Sequence, residues 1–401
     1  MSLNETPMAE RTHIGFFGLR NAGKSSLVNR ITNQQVSVVS EVKGTTTDPV
    51  RKSMELLPLG PVTIIDTPGY DDEGALGALR IARTKEVLST CNIAVLVTEG
   101  AGTDPAEQEL LDLIRERQIP CVIARNKTDL AGSSVETELP QELKGFPVLS
   151  VSAESGEGVE TLKNAIAGAA KGHEKETRLV ADLIHPGDTV VLVIPIDTSA
   201  PKGRLILPQQ QAIRDILDAD AVSLVTSVER LSETLSCLKE DPSLVITDSQ
   251  AFAKVMKLVP ETIPLTSFSI LMARYKGFLR EAVEGAAAID RLENHAKILI
   301  AEGCTHHRQC EDIGTVKLPM WLKKYTGKDF ELTFTSGHGF PEHPEEFDLI
   351  IHCGACMLND NEVLHRMQEA QKKAVPFTNY GTAIAHMNGI LKRSIEMLLP
   401  K

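Results

Sequence analysis

Gly18-Leu-Arg-Asn-Ala-Gly-Lys-Ser25 stands directly after the apolar run His13-Ile-Gly-Phe-Phe17 and directly before Ser26-Leu-Val-Asn-Arg-Ile31, which has the apolar spacing of a helix. That order is strand, G-x-x-x-x-G-K-S loop, helix: a P-loop. Its glycines let successive backbone N–H groups turn inward around phosphate oxygens. Asn21, Ala22, Gly23, Lys24, Ser25 and Ser26 are therefore the phosphate-binding candidates. Lys24 reaches the outer phosphates and the Ser25 hydroxyl holds Mg²⁺.

Three more segments extend the reading. Val62-Thr-Ile-Ile-Asp-Thr-Pro-Gly69 is a buried strand ending in Asp-x-x-Gly. An aspartate at the carboxyl end of a strand beside a P-loop is placed to hold the Mg²⁺ water shell, so Asp66 takes that role, and the Gly69 N–H meets a γ-phosphate. Pro120-Cys-Val-Ile-Ala-Arg-Asn-Lys-Thr-Asp129 is a strand ending in Asn126, Lys127 and Asp129. A carboxylate there accepts both hydrogen bonds from the N1 and N2 groups of guanine, where adenine offers no matching donors. Phe146-Pro-Val-Leu-Ser-Val-Ser-Ala-Glu-Ser-Gly156 supplies Ser152 and Ala153. Alternating strands and helices with these motifs at strand ends predict a doubly wound α/β domain that is a GTPase.

The polar segment Val42-Lys-Gly-Thr-Thr-Thr-Asp48, taken with Asn21, resembles the Era and TrmE-type GTPases. The resemblance implies Asn21 on K⁺ and Thr46 on Mg²⁺. The residue after Gly69 is Tyr70, then Asp71, with no water-orienting glutamine. The expectation is slow, switch-like, Mg²⁺-dependent hydrolysis, stimulated by K⁺ in place of an arginine finger.

The remaining bulk of the chain limits the alternatives. The 401 residues predict two or three domains, and a hydrophobic content of 42% is enough for ordinary buried cores. A net charge of -12, from 54 acidic and 42 basic residues, disfavours a nucleic-acid partner. The longest strand-like apolar run, Val190-Val-Leu-Val-Ile-Pro-Ile196, is too short to span a bilayer and is interrupted by proline. Met1 to Thr12 is polar, without the apolar core of a signal peptide. The expectation is a cytoplasmic protein with no membrane contact.

Three segments follow from the pattern: a GTPase domain over 1–171, a small parallel α/β domain over 172–268 and a third domain over 269–401. The charged stretch Gly172-His-Glu-Lys-Glu-Thr-Arg178 reads as the linker. The middle domain has no Gly-rich phosphate loop, and a small sheet leaves edges that self-association covers, which predicts a homodimer. Asp197, at the end of its first strand, opens a Pro-rich loop and reads as a loop cap. In the third domain a helical pattern runs from Ser269 to about Asn294, and Thr382 to Met397 reads as one closing helix.

The seven cysteines are unevenly spread. Cys91 and Cys121 border apolar strands and read as small buried hydrophobes. In the third domain Ala296-Lys-Ile-Leu-Ile-Ala301 runs at once into Glu302-Gly-Cys-Thr-His-His307, and Phe347-Asp-Leu-Ile-Ile351 runs at once into His352-Cys-Gly-Ala-Cys356. Clusters that follow two strands of one parallel sheet converge in the crevice beyond the strand ends. Cys304, His306, His352, Cys353 and Cys356 thus offer a site for a soft metal. Zinc closing as Cys₃His and a [4Fe–4S] cluster with one exchangeable iron both fit. Cys310 is a possible fourth thiolate, and His338 and His343 lie in a Gly/Pro loop that reads as solvated.

An Era/TrmE-like GTPase joined to Cys304-Thr-His306 and His352-Cys-Gly-Ala-Cys356 resembles, over the whole chain, the HydF family of [FeFe]-hydrogenase maturation GTPases. That resemblance implies a homodimeric scaffold with a [4Fe–4S] cluster on Cys304, Cys353 and Cys356, with His306 and His352 ligating or tuning it and Asp197 as an outside candidate for the fourth position. It implies that a diiron subcluster precursor is held beside the cluster and passed to the apo-hydrogenase HydA, with the radical-SAM maturases HydE and HydG as further partners. The rival readings are an Era-like ribosome-assembly GTPase with a structural zinc site and a GTPase that senses zinc.

Overall fold

The computed structural model describes residues 6–33, 49–70, 74–99, 104–130, 143–171, 178–196, 205–303, 312–337 and 339–399. Thr46, Asp71, Asp197, Cys304, His306, Cys310 and His338 lie outside them, as do nearly all of the 172–178 linker and the loop that Asp197 opens. The chain divides into two compact units, Met1–Glu174 and Lys175–Lys401.

In the first unit β1 (Thr12–Phe17) is followed by α1 (Lys24–Thr32), β2 (Val50–Leu56), β3 (Gly60–Asp66), α2 (Gly74–Thr90) and β4 (Ile93–Glu99). Then come α3 (Pro105–Glu116), β5 (Cys121–Asn126), β6 (Val148–Ser150) and α4 (Val159–Lys171). The strands make one sheet in the order β2-β3-β1-β4-β5-β6, parallel except for the β2–β3 pair. Alternation along the strands splits the core in two. Ile93, Val95 and Val97 pack with α1 and α4 residues such as Leu27 and Leu162. Ala94 and Leu96 face the other way, onto Leu88 of α2 and Leu110 of α3. Both faces of the sheet are covered, as a doubly wound domain requires. Cys91 and Cys121 are buried in the second of these cores, where burial pushes each thiol up to about 12.

The second unit holds two further parallel sheets. The first contains β7 (Thr189–Val193), α5 (Leu207–Asp218), β8 (Val222–Thr226), α6 (Leu231–Ser236), β9 (Leu244–Thr247), α7 (Phe252–Val255) and β10 (Leu265–Ser267), with strand order β10-β9-β7-β8. After α8 (Phe268–Tyr275) and α9 (Leu279–Ala286) comes the second. It is built from β11 (Lys297–Glu302), α10 (Leu318–Thr326), β12 (Glu331–Ser336), β13 (Leu349–His352), α11 (Asp360–Lys372) and β14 (Phe377–Asn379), in the order β12-β11-β13-β14. The helices α12 (Tyr380–Met387) and α13 (Leu391–Ile395) close the chain. One continuous apolar core runs through both sheets of this unit, from Val190 and Ile246 to Ile300 and Ile351.

Two expected helices are each broken in two. The pattern from Ser269 to Asn294 is interrupted after Lys276 because Gly277 adopts a left-handed backbone, φ 85, and turns the chain from α8 to α9. The closing helix is likewise split at Gly389, φ 69, into α12 and α13. Glycine at such a position stops a helix because it alone takes this conformation without a Cβ clash.

Two glycines carry opposite expectations. A Cβ on Gly285 of α9 would stand 2.1 Å from the Phe377 carbonyl oxygen of β14, whereas one on Gly168 of α4 would meet nothing within 4 Å. Gly285→Ala is expected to destabilise the Lys175–Lys401 unit by about 1–3 kcal/mol through overpacking. Gly168→Ala is expected to stabilise its unit by about 0.5–1 kcal/mol. Chemical denaturation followed by circular dichroism measures both, and equal effects would contradict the packing described.

Candidate functional site

The loop after β1 leaves the sheet between β3 and β4, where neighbouring connections diverge and open a crevice at the strand ends. It curls through three positive-φ residues, Gly18 (φ 140), Asn21 (φ 63) and Gly23 (φ 87). Asn21 is exposed, and asparagine tolerates the left-handed region better than most residues. The Lys24 ammonium is buried and donates to the carbonyls of Gly18 (3.0 Å) and Leu19 (2.7 Å), arching over the loop.

The Ser25 hydroxyl donates to Asp66 Oδ2 at 2.6 Å, so the two Mg²⁺ candidates, from α1 and the end of β3, already face each other. Gly69 passes so near the P-loop that a Cβ would stand 2.9 Å from the Arg20 nitrogen. The next residue points away: Tyr70 is buried, and its hydroxyl donates to Glu109 Oε1 at 2.8 Å. Burial first, and then this carboxylate, pushes its pKa up, so Tyr70 is a packing residue.

The base-reading candidates are joined into one network. Asn126 Nδ2 donates to the Ala22 carbonyl (2.9 Å) and its Oδ1 accepts the Ala153 N–H (3.0 Å). A single buried amide therefore links the P-loop, the end of β5 and the Ser-Ala loop. Ser152 Oγ donates to Asp129 Oδ1 at 2.5 Å, orienting the carboxylate expected to meet guanine. Lys127, with a left-handed backbone (φ 64), pairs with Glu99 at 2.7 Å.

In the second unit, β11 and β13 are adjacent and parallel with Ala301 opposite His352. The chain leaves β11 toward β12 on one side and β13 toward β14 on the other, so a crevice opens between their carboxyl ends. The Cys353 N–H donates to the Ala301 carbonyl at 2.8 Å, extending the ladder one residue beyond β13. Its thiol sulfur accepts the N–H of Gly303 (3.1 Å), the residue before Cys304, and that of Ala355 (3.3 Å). Ala355 adopts a left-handed backbone, φ 55, which folds the Cys-Gly-Ala-Cys turn back on itself.

Burial raises the Cys353 pKa, opposed by the two backbone N–H groups. Cys356 is pushed up to about 12 by burial and then by Cys353. Two thiols three residues apart on one tight turn, one already cradled by amide donors of the kind that stabilise a thiolate, suit a thiophilic metal group. Among the described residues alone no cluster of three or more metal-ligating side chains forms.

His352 is fully buried, and both ring nitrogens are engaged. Nδ1 lies 3.0 Å from the Cys353 carbonyl oxygen, and Nε2 lies 3.0 Å from Arg366 Nη1. Burial, then the Arg366 charge, lowers its pKa to about 3, so the ring is neutral. Arg366 also donates to the Gly337 carbonyl (2.8 Å) and pairs with Glu362 (2.6 Å). A second buried cation, Lys276 at the end of α8, donates to the Leu358 carbonyl (2.7 Å) and to Asp360 (3.1 Å), just past the turn. Sequence reasoning named neither Arg366 nor Lys276. His343 is exposed.

Comparison with known proteins covers the chain in three pieces. Residues 280–397 match the family model described as "Hydrogen maturase F tetramerization domain" and residues 179–277 the "Hydrogen maturase F dimerization domain". Residues 13–127 match a model described as "50S ribosome-binding GTPase". Among curated relatives, the tRNA modification GTPase MnmE of Heliobacterium modesticaldum is 33% identical over 159 residues, 39% of this chain and 34% of that protein. GTPase Der of Sulfurimonas denitrificans is 30% identical over 183 residues, 42% of this chain and 36% of that protein. The chain thus spans about a third of the length of these relatives. Among solved structures, the G domain of the T. maritima FeoB iron transporter covers 40% of this chain and 99% of its own, at 25% identity and a TM-score of 0.32. A single-residue variant of Aquifex aeolicus Era bound to GDP.AlF4- covers 54% of this chain and 92% of its own, at 18% identity and a TM-score of 0.35.

The P-loop geometry yields a direct test. A Cβ on Gly23 would stand 2.1 Å from Asn126 Nδ2 and would force a side chain into the left-handed region. Gly23→Ala is expected to weaken binding of a fluorescent GTP analogue by at least about 100-fold, roughly 2.7 kcal/mol. Affinity within about twofold of the unaltered chain would contradict the network drawn through Asn126.

Proposed function

The chain belongs to the hydrogen maturase F (HydF) family, and from that premise we propose that it is a GTP-switched iron–sulfur scaffold that holds the diiron subcluster precursor and delivers it to apo-[FeFe]-hydrogenase. The observation that carries the proposal is the junction of the two strand ends. The Gly303 N–H on the Cys353 sulfur puts the backbone that enters Cys304 within one hydrogen bond of the Cys-x-x-Cys turn. Cys304, Cys353 and Cys356 are then the ligands of a [4Fe–4S] cluster. When bound, the cluster supplies an iron site open to an exchangeable ligand, the place where a precursor can attach. Asp197 and His306 are the remaining candidates for that fourth position. His352, with both nitrogens engaged, acts on the cluster through the Cys353 backbone.

The residues of this chain do the rest. Gly303 and Ala355 aim their N–H groups at the Cys353 sulfur, and the β11 and β13 core keeps their spacing. In the first unit Lys24, Asn21–Ser26 and Gly69 bind the phosphates of GTP, Ser25 and Thr46 hold Mg²⁺ with Asp66 behind them, and Asn126, Lys127, Asp129, Ser152 and Ala153 select guanine. Asn21 completes a K⁺ site whose charge assists slow hydrolysis. Ordering of Thr46 and Gly69 on the γ-phosphate, and their release after hydrolysis, is the input that changes affinity for the partners HydE, HydG and HydA. The protein works as a cytoplasmic homodimer. Edge strand β8, with Val222 and Val225 exposed, is a surface for that self-association, and light scattering that returned the mass of one chain would contradict it.

Anaerobic reconstitution tests the proposal. Iron analysis and reduced-state EPR should show a cluster in the unaltered chain, and Cys353→Ser or Cys356→Ser should lose most of the bound iron and hydrogenase activation while GTP turnover stays within about twofold. A colourless chain that takes up only zinc, or cysteine variants that retain iron and activation, would overturn it. Exchange of K⁺ for Na⁺ should slow GTP turnover by about tenfold or more, and equal rates would remove the K⁺ assignment.

A further inference from the structure

Arg366 is 2% exposed, and its guanidinium is shared among three partners: Glu362 one helical turn back on α11, the Gly337 carbonyl after β12, and His352 Nε2 at the end of β13. A guanidinium only donates hydrogen bonds, so Nε2 of His352 must be the bare acceptor. The Cys353 carbonyl only accepts, so Nδ1 must carry the proton. Both neighbours therefore demand the same neutral tautomer. That proton closes on the carbonyl of the peptide between Cys353 and Gly354, the first bond of the turn that brings the Ala355 N–H back to the Cys353 sulfur.

We propose that Arg366 is the positioning residue of the thiolate turn: held by Glu362 and Gly337, it fixes His352 in the Nδ1–H form, which pins the Cys353 carbonyl and keeps the imidazole off the metal. The inference rests on the reading of Cys353 as a cluster ligand. A buried Glu–Arg pair can often be replaced by apolar side chains without loss of stability, so stability alone gives no reason for this one. What an apolar pair cannot do is dictate a tautomer. The guanidinium also lies over the Phe340 ring, 5.5 Å from its centroid, which limits its freedom to swing away. Because it reaches Gly337 as well as His352, it ties the ends of β12 and β13 together around the crevice. A histidine held by a second partner in this way orients the loop that carries a metal ligand, as outer partners do at metal sites in general.

The test uses the full chain with ring-¹⁵N-labelled histidine. In the iron-free protein, the His352 signals, identified by their loss in His352→Gln, should show a protonated Nδ1 and a bare Nε2. In Arg366→Met the ring should populate both tautomers, and Arg366→Lys, which restores one donor, should return it toward the first. After anaerobic reconstitution, Arg366→Met should lose iron to a chelator about 10–100-fold faster than the unaltered chain, with Arg366→Lys between them and an altered reduced-state EPR line shape. A proton on Nε2 in the unaltered chain, or an Arg366→Met protein that matches it in both tautomer and iron retention, overturns the proposal. Should Arg366→Met fail to fold by circular dichroism, Glu362→Gln decides: it frees the anchor of Arg366, a several-fold faster iron loss supports the proposal, and an unchanged rate overturns it. If the unaltered chain takes up no iron at all, the cluster assignment fails, while the tautomer measurement still decides the role of Arg366.

Discussion

The hydrogen bond from the Cys353 N–H to the Ala301 carbonyl, 2.8 Å long, continues a strand pairing that the whole second site depends on. The pairing is held in register by apolar side chains on both strands, Ile298, Leu299 and Ile300 against Ile350 and Ile351, all fully buried. A slip of one residue would turn every one of these to the opposite face, so the register is strongly specified. With it, residue 303 and residue 353 must emerge side by side from the sheet. The parallel direction of the two strands puts both emerging loops at the same end, and the divergence of the connections to β12 and β14 keeps the space between them open. Among the described residues, the Cys353–Cys356 turn takes one left-handed residue, Ala355.

The nucleotide site obeys the same geometry with different chemistry. Its loops also leave the carboxyl ends of parallel strands where connections diverge, but they offer backbone N–H groups, one ammonium and hydroxyls suited to phosphate and Mg²⁺. The thiol site offers soft sulfur in a buried setting. Neutral Asn126 ties three loops of the first site together, and cationic Arg366 ties two strand ends and a helix of the second. In both, a buried side chain with several hydrogen-bonding atoms does what a covalent cross-link would do elsewhere, at the cost of needing every partner in place.

Much of this was legible in the amino-acid order. The P-loop, Asp66-x-x-Gly69, Asn126-Lys-x-Asp129 and Ser152-Ala153 announce themselves because glycine, lysine and carboxylate at those spacings serve no ordinary packing purpose. The strands β4, β5, β7, β11 and β13 are continuous apolar runs. Harder to read were β2 and β12, whose alternating, half-exposed residues belong to sheet edges, and β10 and β14, only three residues each. The long helix expected from Ser269 onward is two helices: Gly277 and Gly285 look alike in sequence, yet one turns the chain at positive φ and the other sits within a helix under the β14 backbone. Glu362 and Arg366 were missed for a different reason. An i, i+4 pair of opposite charge on a helix usually lies in solvent. Their place one residue before Val363 and Met367, on the same i, i+4 row as Ala370, was the available sign that they share the buried face.

The central claim is that sulfur from two separate strand ends closes on one iron–sulfur cube in this chain. Mössbauer spectroscopy of the full-length protein, reconstituted anaerobically with ⁵⁷Fe and sulfide, measures that most directly. The account predicts the spectrum of a [4Fe–4S] cluster in the unaltered chain, with one iron distinguishable from the rest, and its disappearance in Cys353→Ser. Iron present only as mononuclear or adventitious species, or a cube that persists unchanged in Cys353→Ser, would contradict it.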